Sequence, residues 1–285
     1  MTSYLILGGR GFLGSILKKE LEKNQVLTHF YNRDSNTVTN INSGITFSFD
    51  EYLSNHNSFN VVNLLAAWGD STNDSIIKYA NFDLPLYIFN KIASTGKKLF
   101  WVQINSYFYF HFVKTGIDKD KYSFWKRSLS DSLKGNLKVN NENLSILEIY
   151  LPHLYGENDK NNRLIKVLTT QDSENIVVKL SSGLQILPIL NVQDCARGLF
   201  DLISKNYSQL KYTQIYIKEQ KQLTVKEIVK IIQGYKEVSV EYDMLPERKY
   251  EFYSPITTEI NHHNIDKLIT FEQYLTSIYK KGING

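Results

Sequence analysis

The chain has 285 residues, 42% hydrophobic and 22% charged, with a net charge of +4 and one cysteine, Cys195. These values exclude disordered and fibrous classes, give no case for nucleic acid as a partner, and rule out an internal disulfide or a metal-binding cysteine pair; no metal is expected. Apolar runs such as Leu64–Trp68 fall far short of the roughly 20 residues that span a membrane. The amino terminus lacks the basic and long apolar regions of a secretory signal, so a cytoplasmic, soluble setting is the expectation.

In chain order, short apolar runs alternate with amphipathic stretches. Strands are predicted at Ser3–Leu7, Val26–Tyr31, Thr46–Phe49, Asn60–Leu65, Lys98–Ile104 and Leu144–Leu151. Helices are predicted at Phe12–Glu22, Ile76–Thr95 and Tyr122–Leu133. Strands joined by crossover helices form a parallel sheet, so the fold class is α/β, a doubly wound sheet of the Rossmann type. The nearly continuous apolar run Asn60–Leu65 suits a strand covered on both faces.

After Gly156 the pattern loosens. It predicts a short helix over Arg163–Leu168, a strand over Ile176–Leu180, a helix over Cys195–Ser204 capped at or near Asp194, and a helix from Thr224 to Gln233. Thr224 with Glu227 three residues on is a capping-box pattern. The expected organisation is a dinucleotide-binding domain over 1–155, to which 176–215 returns, and a smaller mixed lobe formed by 156–175 and 216–285.

The first strand runs into Gly8-Gly9-Arg10-Gly11-Phe12-Leu13-Gly14, and a helix follows. Glycines in that context make a tight turn, let a pyrophosphate approach the backbone and permit close packing of helix on strand. The helix start adds N–H donors and the positive end of its dipole. A dinucleotide site at Gly8, Gly11, Phe12, Leu13 and Gly14 is therefore expected. At the end of the second strand, Asn32 and Arg33 suit the 2′-phosphate of NADPH, while Asp34 leaves NAD open.

Tyr-x-x-x-Lys puts a phenol and an ammonium on one helix face, one turn apart, so that the lysine can favour phenolate and the tyrosine can exchange a proton with a carbonyl. The spacing occurs at Tyr87/Lys91, Tyr122/Lys126 and Tyr207/Lys211. Only Tyr122/Lys126 lies on a predicted helix after the strand Lys98–Ile104, whose exit carries the hydroxyl of Ser106; Tyr87/Lys91 precedes that strand and Tyr207/Lys211 sits in a late connection. Ser106, Tyr122 and Lys126 are thus the candidate catalytic residues.

With these residues in place, the chain resembles the extended short-chain dehydrogenase/reductase family from about Tyr4 to about Arg248. The resemblance adds Asp50, Leu65, Ala66, Ala67 and Asn81 to the cofactor residues. It also covers Leu151–Gly156 and Asn191–Ala196, and within the family it is strongest to the CDP-abequose and CDP-paratose synthase type. It implies an NADPH-dependent nucleotide-sugar 4-ketoreductase of surface-polysaccharide biosynthesis, a homodimer, with Trp68, Tyr107, His153, Arg163, Gln185 and Arg248 on the substrate side. Family members usually carry Arg or Lys where Tyr150 stands and many carry Arg near Leu187, so a diphosphate would draw on Arg163 or Arg248. Tyr107 and Phe108 follow Ser106 where sugar dehydratases carry Asp-Glu, which disfavours dehydration. A C4 epimerase with bound NAD stays open, as does a silent NADP-binding regulator, although the chain keeps the tyrosine and lysine that such regulators lose.

Overall fold

The computed structural model describes residues 3–67, 73–139, 142–159, 163–170, 177–205, 209–248 and 250–280. Trp68, Tyr207 and Ile176, each part of an expectation above, lie outside them.

The strand β1 (Ser3–Leu7) leads through the glycine loop into α1 (Phe12–Lys23), then β2 (Leu27–Asn32). Next come a short β3 (Thr37–Asn40), β4 (Thr46–Ser48) and α2 (Phe49–Asn55). The predicted third parallel strand is corrected here: β2, β3 and β4 form an antiparallel meander. Ser48 and Glu51 close a capping box that starts α2, ending the strand before Phe49.

After β5 (Ser58–Asn63), the single predicted helix over Ile76–Thr95 is divided into α3 (Asp74–Lys78), a π turn (Tyr79–Asp83) and α4 (Leu84–Ala93). Within the π turn the Asn81 carboxamide donates to the carbonyl oxygens of Ile77 and Ala67, both at 2.8 Å. A side chain that inserts in this way opens the helical ladder, and such turns recur at functional sites. β6 (Lys98–Ser106), α5 (Tyr109–Thr115), α6 (Lys121–Val139) and β7 (Leu144–Leu151) complete the first half. The short gap between Ser106 and Tyr122 is filled by α5, which ends at Gly116 in the left-handed conformation (φ 73°).

The second half contains β8 (His153–Tyr155), α7 (Leu164–Thr170), β9 (Val178–Lys179), β10 (Ile186–Asn191), α8 (Val192–Ser204) and β11 (Tyr212–Ile217). It closes with β12 (Lys221–Thr224), α9 (Val225–Gln233), β13 (Val240–Glu241), β14 (Asn261–His263) and α10 (Phe271–Lys280). Thr224 and Glu227 form the capping box that their spacing predicts. Helix α8 starts earlier than predicted, capped by Asn191; Asp194 lies in its first turn, where its carboxylate binds Arg197 and the backbone N–H of Ile269.

The main sheet has nine strands in the order β14-β11-β7-β6-β5-β1-β2-β3-β4. Pairing is parallel from β14 to β2 and antiparallel only at the β3–β4 edge. One apolar layer lies between the sheet and α1 with α8, and a second under α2, α4 and α6. A three-stranded sheet, β12-β10-β8, and the pair β13-β9 build the smaller lobe around a third core with α7, α9 and α10. The stretch 176–215 is divided between the two parts: β9 and β10 join the small sheets, while α8 covers the main one. Beyond residue 215, β14 pairs with β11 at the edge of the main sheet.

Candidate active site

Ligands of open parallel sheets bind outside the carboxyl ends of the strands, and every catalytic candidate stands there. Gly8 follows β1 with φ +83°, and a Cβ there would lie 3.0 Å from the Leu64 carbonyl carbon. Gly14 packs α1 directly on the loop: a Cβ would meet the Gly8 carbonyl oxygen and stand 2.8 Å from the Gly9 Cα. The cap residue, Gly11, offers no side-chain acceptor to the first turn of α1, and its own N–H donates to the Gly8 oxygen at 3.0 Å. Glycine backbone stacked this closely, with helix-start N–H groups above it, fits a dinucleotide diphosphate.

Ser106 ends β6, in register with Leu151 of β7. Tyr122 and Lys126 lie one turn apart on α6, and the three residues line one small cavity with Asn105, Phe108 and Ser123. Asp120 fixes the start of α6 by accepting the Ser123 N–H and hydroxyl, each at 2.7 Å.

Lys126 is 5% exposed. Its Nζ donates to the Leu65 carbonyl at 2.7 Å and the Ile104 carbonyl at 3.0 Å, so it ties the ends of β5 and β6 together. Burial draws its pKa down to about 7. Tyr122 is half-buried; burial raises its pKa, the Asp120 carboxylate raises it further, and the Arg163 guanidinium opposes both. Arg163 is thus one cation whose charge opposes this rise at Tyr122, and Lys126 stands one turn away on α6.

Beneath the triad runs a buried chain of neutral hydrogen bonds that the sequence does not announce. Asn63 accepts from the Leu65 N–H at 3.1 Å and donates to Gln103 at 2.8 Å; Asn105 donates to Ser130 on α6 at 3.0 Å. Gln103 links the two by donating to Asn105 at 3.4 Å. Asn63, Gln103 and Asn105 are spaced for one face of adjacent parallel strands, a period-2 signal hidden among apolar neighbours.

At the end of β2, the Asn32 side chain accepts from the Asp34 N–H at 3.1 Å, and Arg33 pairs with Asp34 at 3.4 Å on the surface. Asp50 lies on α2 and is paired with Lys91 of α4 at 2.9 Å, both exposed to solvent. Of the strand-end segment, Leu65 and Ala67 give their carbonyls to Lys126 and Asn81, while Ala66 is exposed.

Of the residues expected on the substrate side, Tyr107 is buried against Phe108 and Phe252. The His153 Nε2 is buried with no hydrogen-bond partner among the described residues. Burial, then the charges of Arg163 and Lys119, bring its pKa down to about 3, so the ring is neutral. Arg163 donates to the Leu154 carbonyl at 3.4 Å, pairs with Asp159 at 3.5 Å and stacks 5.2 Å above the Phe12 ring. Gln185 makes its contacts within the small lobe, to Ser181 at 3.2 Å and through its carbonyl to Val225. Arg248 is exposed, and its charge acts on Lys119.

Lys119 is likewise unannounced by the sequence. It pairs with Glu251 at 3.2 Å, both side chains 8% exposed, with its Nζ 3.8 Å from the Phe108 ring centre. Burial lowers the Lys119 pKa, and Glu251 opposes that. No local spacing signals a pair separated by 132 positions.

The profile of the NAD dependent epimerase/dehydratase family matches residues 4–217, glycine loop and triad included. The chain belongs to this family. A CDP-abequose synthase of Yersinia pseudotuberculosis is 25% identical over 287 residues, spanning 97% of this chain and 99% of that one. Among solved structures, an NAD-dependent NDP-hexosamine 5,6-dehydratase of tunicamycin biosynthesis superposes with a TM-score of 0.77 at 14% identity, covering 100% of this chain and 99% of its own. The UDP-glucose 4-epimerase of Thermus thermophilus, in complex with NAD, gives 0.73 at 13% identity with the same coverage. Identities this low establish the Rossmann-type fold of the family. Among the described residues, no helix is long and apolar enough to cross a membrane.

Proposed function

We propose that the protein reduces the 4-keto group of a nucleotide-linked deoxyhexulose, with CDP as the nucleotide, using NADPH. The observation that carries this reading is the cleft in which Ser106, Tyr122 and Lys126 meet while Tyr107 and Phe108, both apolar in their packing, fill the places of a dehydratase's acids. The end-to-end likeness to a CDP-abequose synthase supports the choice of substrate class.

Gly8, Gly11, Phe12, Leu13 and Gly14 would hold the dinucleotide diphosphate, with Asn32 and Arg33 toward the adenosine ribose. Leu65, Ala66, Ala67 and Asn81 would line the nicotinamide half, and Asp50, although paired with Lys91, stays a candidate at the adenine. A bound nicotinamide dinucleotide supplies the reducing equivalent. Tyr122 donates its phenolic proton to the sugar O4; burial and Asp120, by raising its pKa, keep that proton in place at neutral pH. Ser106 donates a hydrogen bond to the same oxygen, and Arg163 stabilises the phenolate left behind. Lys126 holds the β5 and β6 ends in register and presents its amine toward the cofactor ribose.

His153 offers its neutral, unpartnered ring nitrogen to a sugar hydroxyl; a buried polar atom without a partner costs about 1–3 kcal/mol, which a ligand hydroxyl would offset. Tyr107 and Gln185 line the sugar and base pockets in this reading, and Arg248 serves the sugar-nucleotide diphosphate. The exposed aromatic side chains of α4 and α6, Tyr87 and Phe124, support pairing of two copies along these helices.

The test incubates the protein with NADPH and CDP-, dTDP-, GDP- or UDP-linked 4-keto-6-deoxy sugars and follows the absorbance of the reduced cofactor. Oxidation is expected with the CDP sugar, and Tyr122→Phe should lower turnover about 10²–10⁴-fold with cofactor binding kept. Isomerised sugar without net NADPH consumption would instead identify an epimerase.

A further inference from the structure

Arg163 is expected, from the resemblance, to bind the diphosphate of the sugar nucleotide; its position says otherwise. The residue stands at the start of α7, in the small lobe, yet its guanidinium carbon is 5.2 Å from the ring centre of Phe12, the first residue of α1. The turn that enters the small lobe closes on the same ring: a Cβ at Gly156 would be 3.8 Å from the Phe12 Cζ. Two elements of the smaller lobe thus approach the residue that opens the dinucleotide helix.

The guanidinium is held before any ligand arrives. Asp159, itself 3% exposed, pairs with its Nε at 3.5 Å, and the Leu154 carbonyl accepts from Nη1 at 3.4 Å. A guanidinium fixed by stacking and by two polar partners loses little freedom on binding an anion, which suits it to phosphate.

We infer that Arg163 binds the cofactor, closing over the diphosphate at the first turn of α1 from the small-lobe side. The inference rests on the dinucleotide reading of the glycine loop. Three features converge on it. Gly11 leaves the first-turn N–H donors without a side-chain cap. The cation stands on the adjoining ring, within the roughly 6 Å over which a cation and an aromatic face attract. Its Nη1 donates to the carbonyl of Leu154, the residue after His153, so it stands at the edge of the cleft and can draw the two lobes together.

Titrations of NADPH, followed by its fluorescence, and of CDP, followed by calorimetry, separate this from the sugar-side role. Arg163→Met should weaken NADPH at least about tenfold, the scale of a lost charge-assisted contact, and leave CDP within about twofold. Arg163→Lys, which keeps the charge but loses the planar fork, should fall between the two and guards against a folding defect in the methionine variant. Unchanged NADPH affinity in both variants overturns the inference, and a rise in the CDP dissociation constant would return Arg163 to the sugar diphosphate. Should the wild-type protein bind neither NADPH nor NADH, the dinucleotide reading itself fails and the inference with it.

Discussion

The two halves of the cleft are built on different physics. On the main-sheet side, position is set by close backbone packing at Gly8 and Gly14 and by neutral hydrogen bonds from Asn63 through Gln103 and Asn105 to Ser130. On the facing side it is set by charge: Lys119, from the turn before α6, with Glu251, Arg163 with Asp159, and a neutral His153 whose Nε2 has no partner among the described residues. A neutral, saturated network has one arrangement and little reason to move, as a fixed cofactor bed requires. Buried charges and an unsatisfied ring are stable only in company, so the second half gains most when a polar ligand completes it.

Breaking the charged half should have the largest effect on stability. Lys119→Met leaves the buried Glu251 carboxylate unpaired, and a loss of about 3–5 kcal/mol is expected in denaturant unfolding. The double variant Lys119→Met, Glu251→Leu should recover more than half of it; if it does not, the pair is no more than packing. In the neutral half, Gly14→Ala forces a Cβ to within 2.8 Å of the Gly9 Cα. We expect a loss of about 1–3 kcal/mol from overpacking, with NADPH binding weakened as the loop shifts. An alanine variant of wild-type affinity would show that the loop is not set by this contact.

The smallest effect tests the far end of the main sheet. His29 is 2% exposed beside Tyr52 and His56, and burial followed by the His56 charge lowers its pKa to about 4. The unfolded chain protonates nearer 6.5, so the stability owed to the neutral ring is complete above that pH and declines as pH falls toward 4. Melting temperature between pH 7 and pH 5 should fall less in His29→Leu than in the natural chain; parallel curves would remove His29 from the account.

What can be read in advance divides along the same line. The glycine loop, Tyr122/Lys126 and the Thr224 capping box are local patterns, each completed within a few residues of one strand–helix junction or one helix. The β3–β4 meander escapes the sequence because Thr46–Ser48 has strand character but nothing in its composition specifies the direction of its partner. The π turn at Asn81 is hidden because helical periodicity survives one inserted residue.

The sequence by itself determined the α/β sheet, and it singled out the glycine loop and the candidates Ser106, Tyr122 and Lys126, because backbone conformation and side-chain spacing are short-range properties. Only the tertiary structure decided the electrostatics of the site. Lys126 is turned to two carbonyls, Arg163 stands by Phe12 and Asp159, and Lys119 meets Glu251. Charge acts through space and burial, and which groups are brought within its reach is fixed only when distant segments close over one cleft.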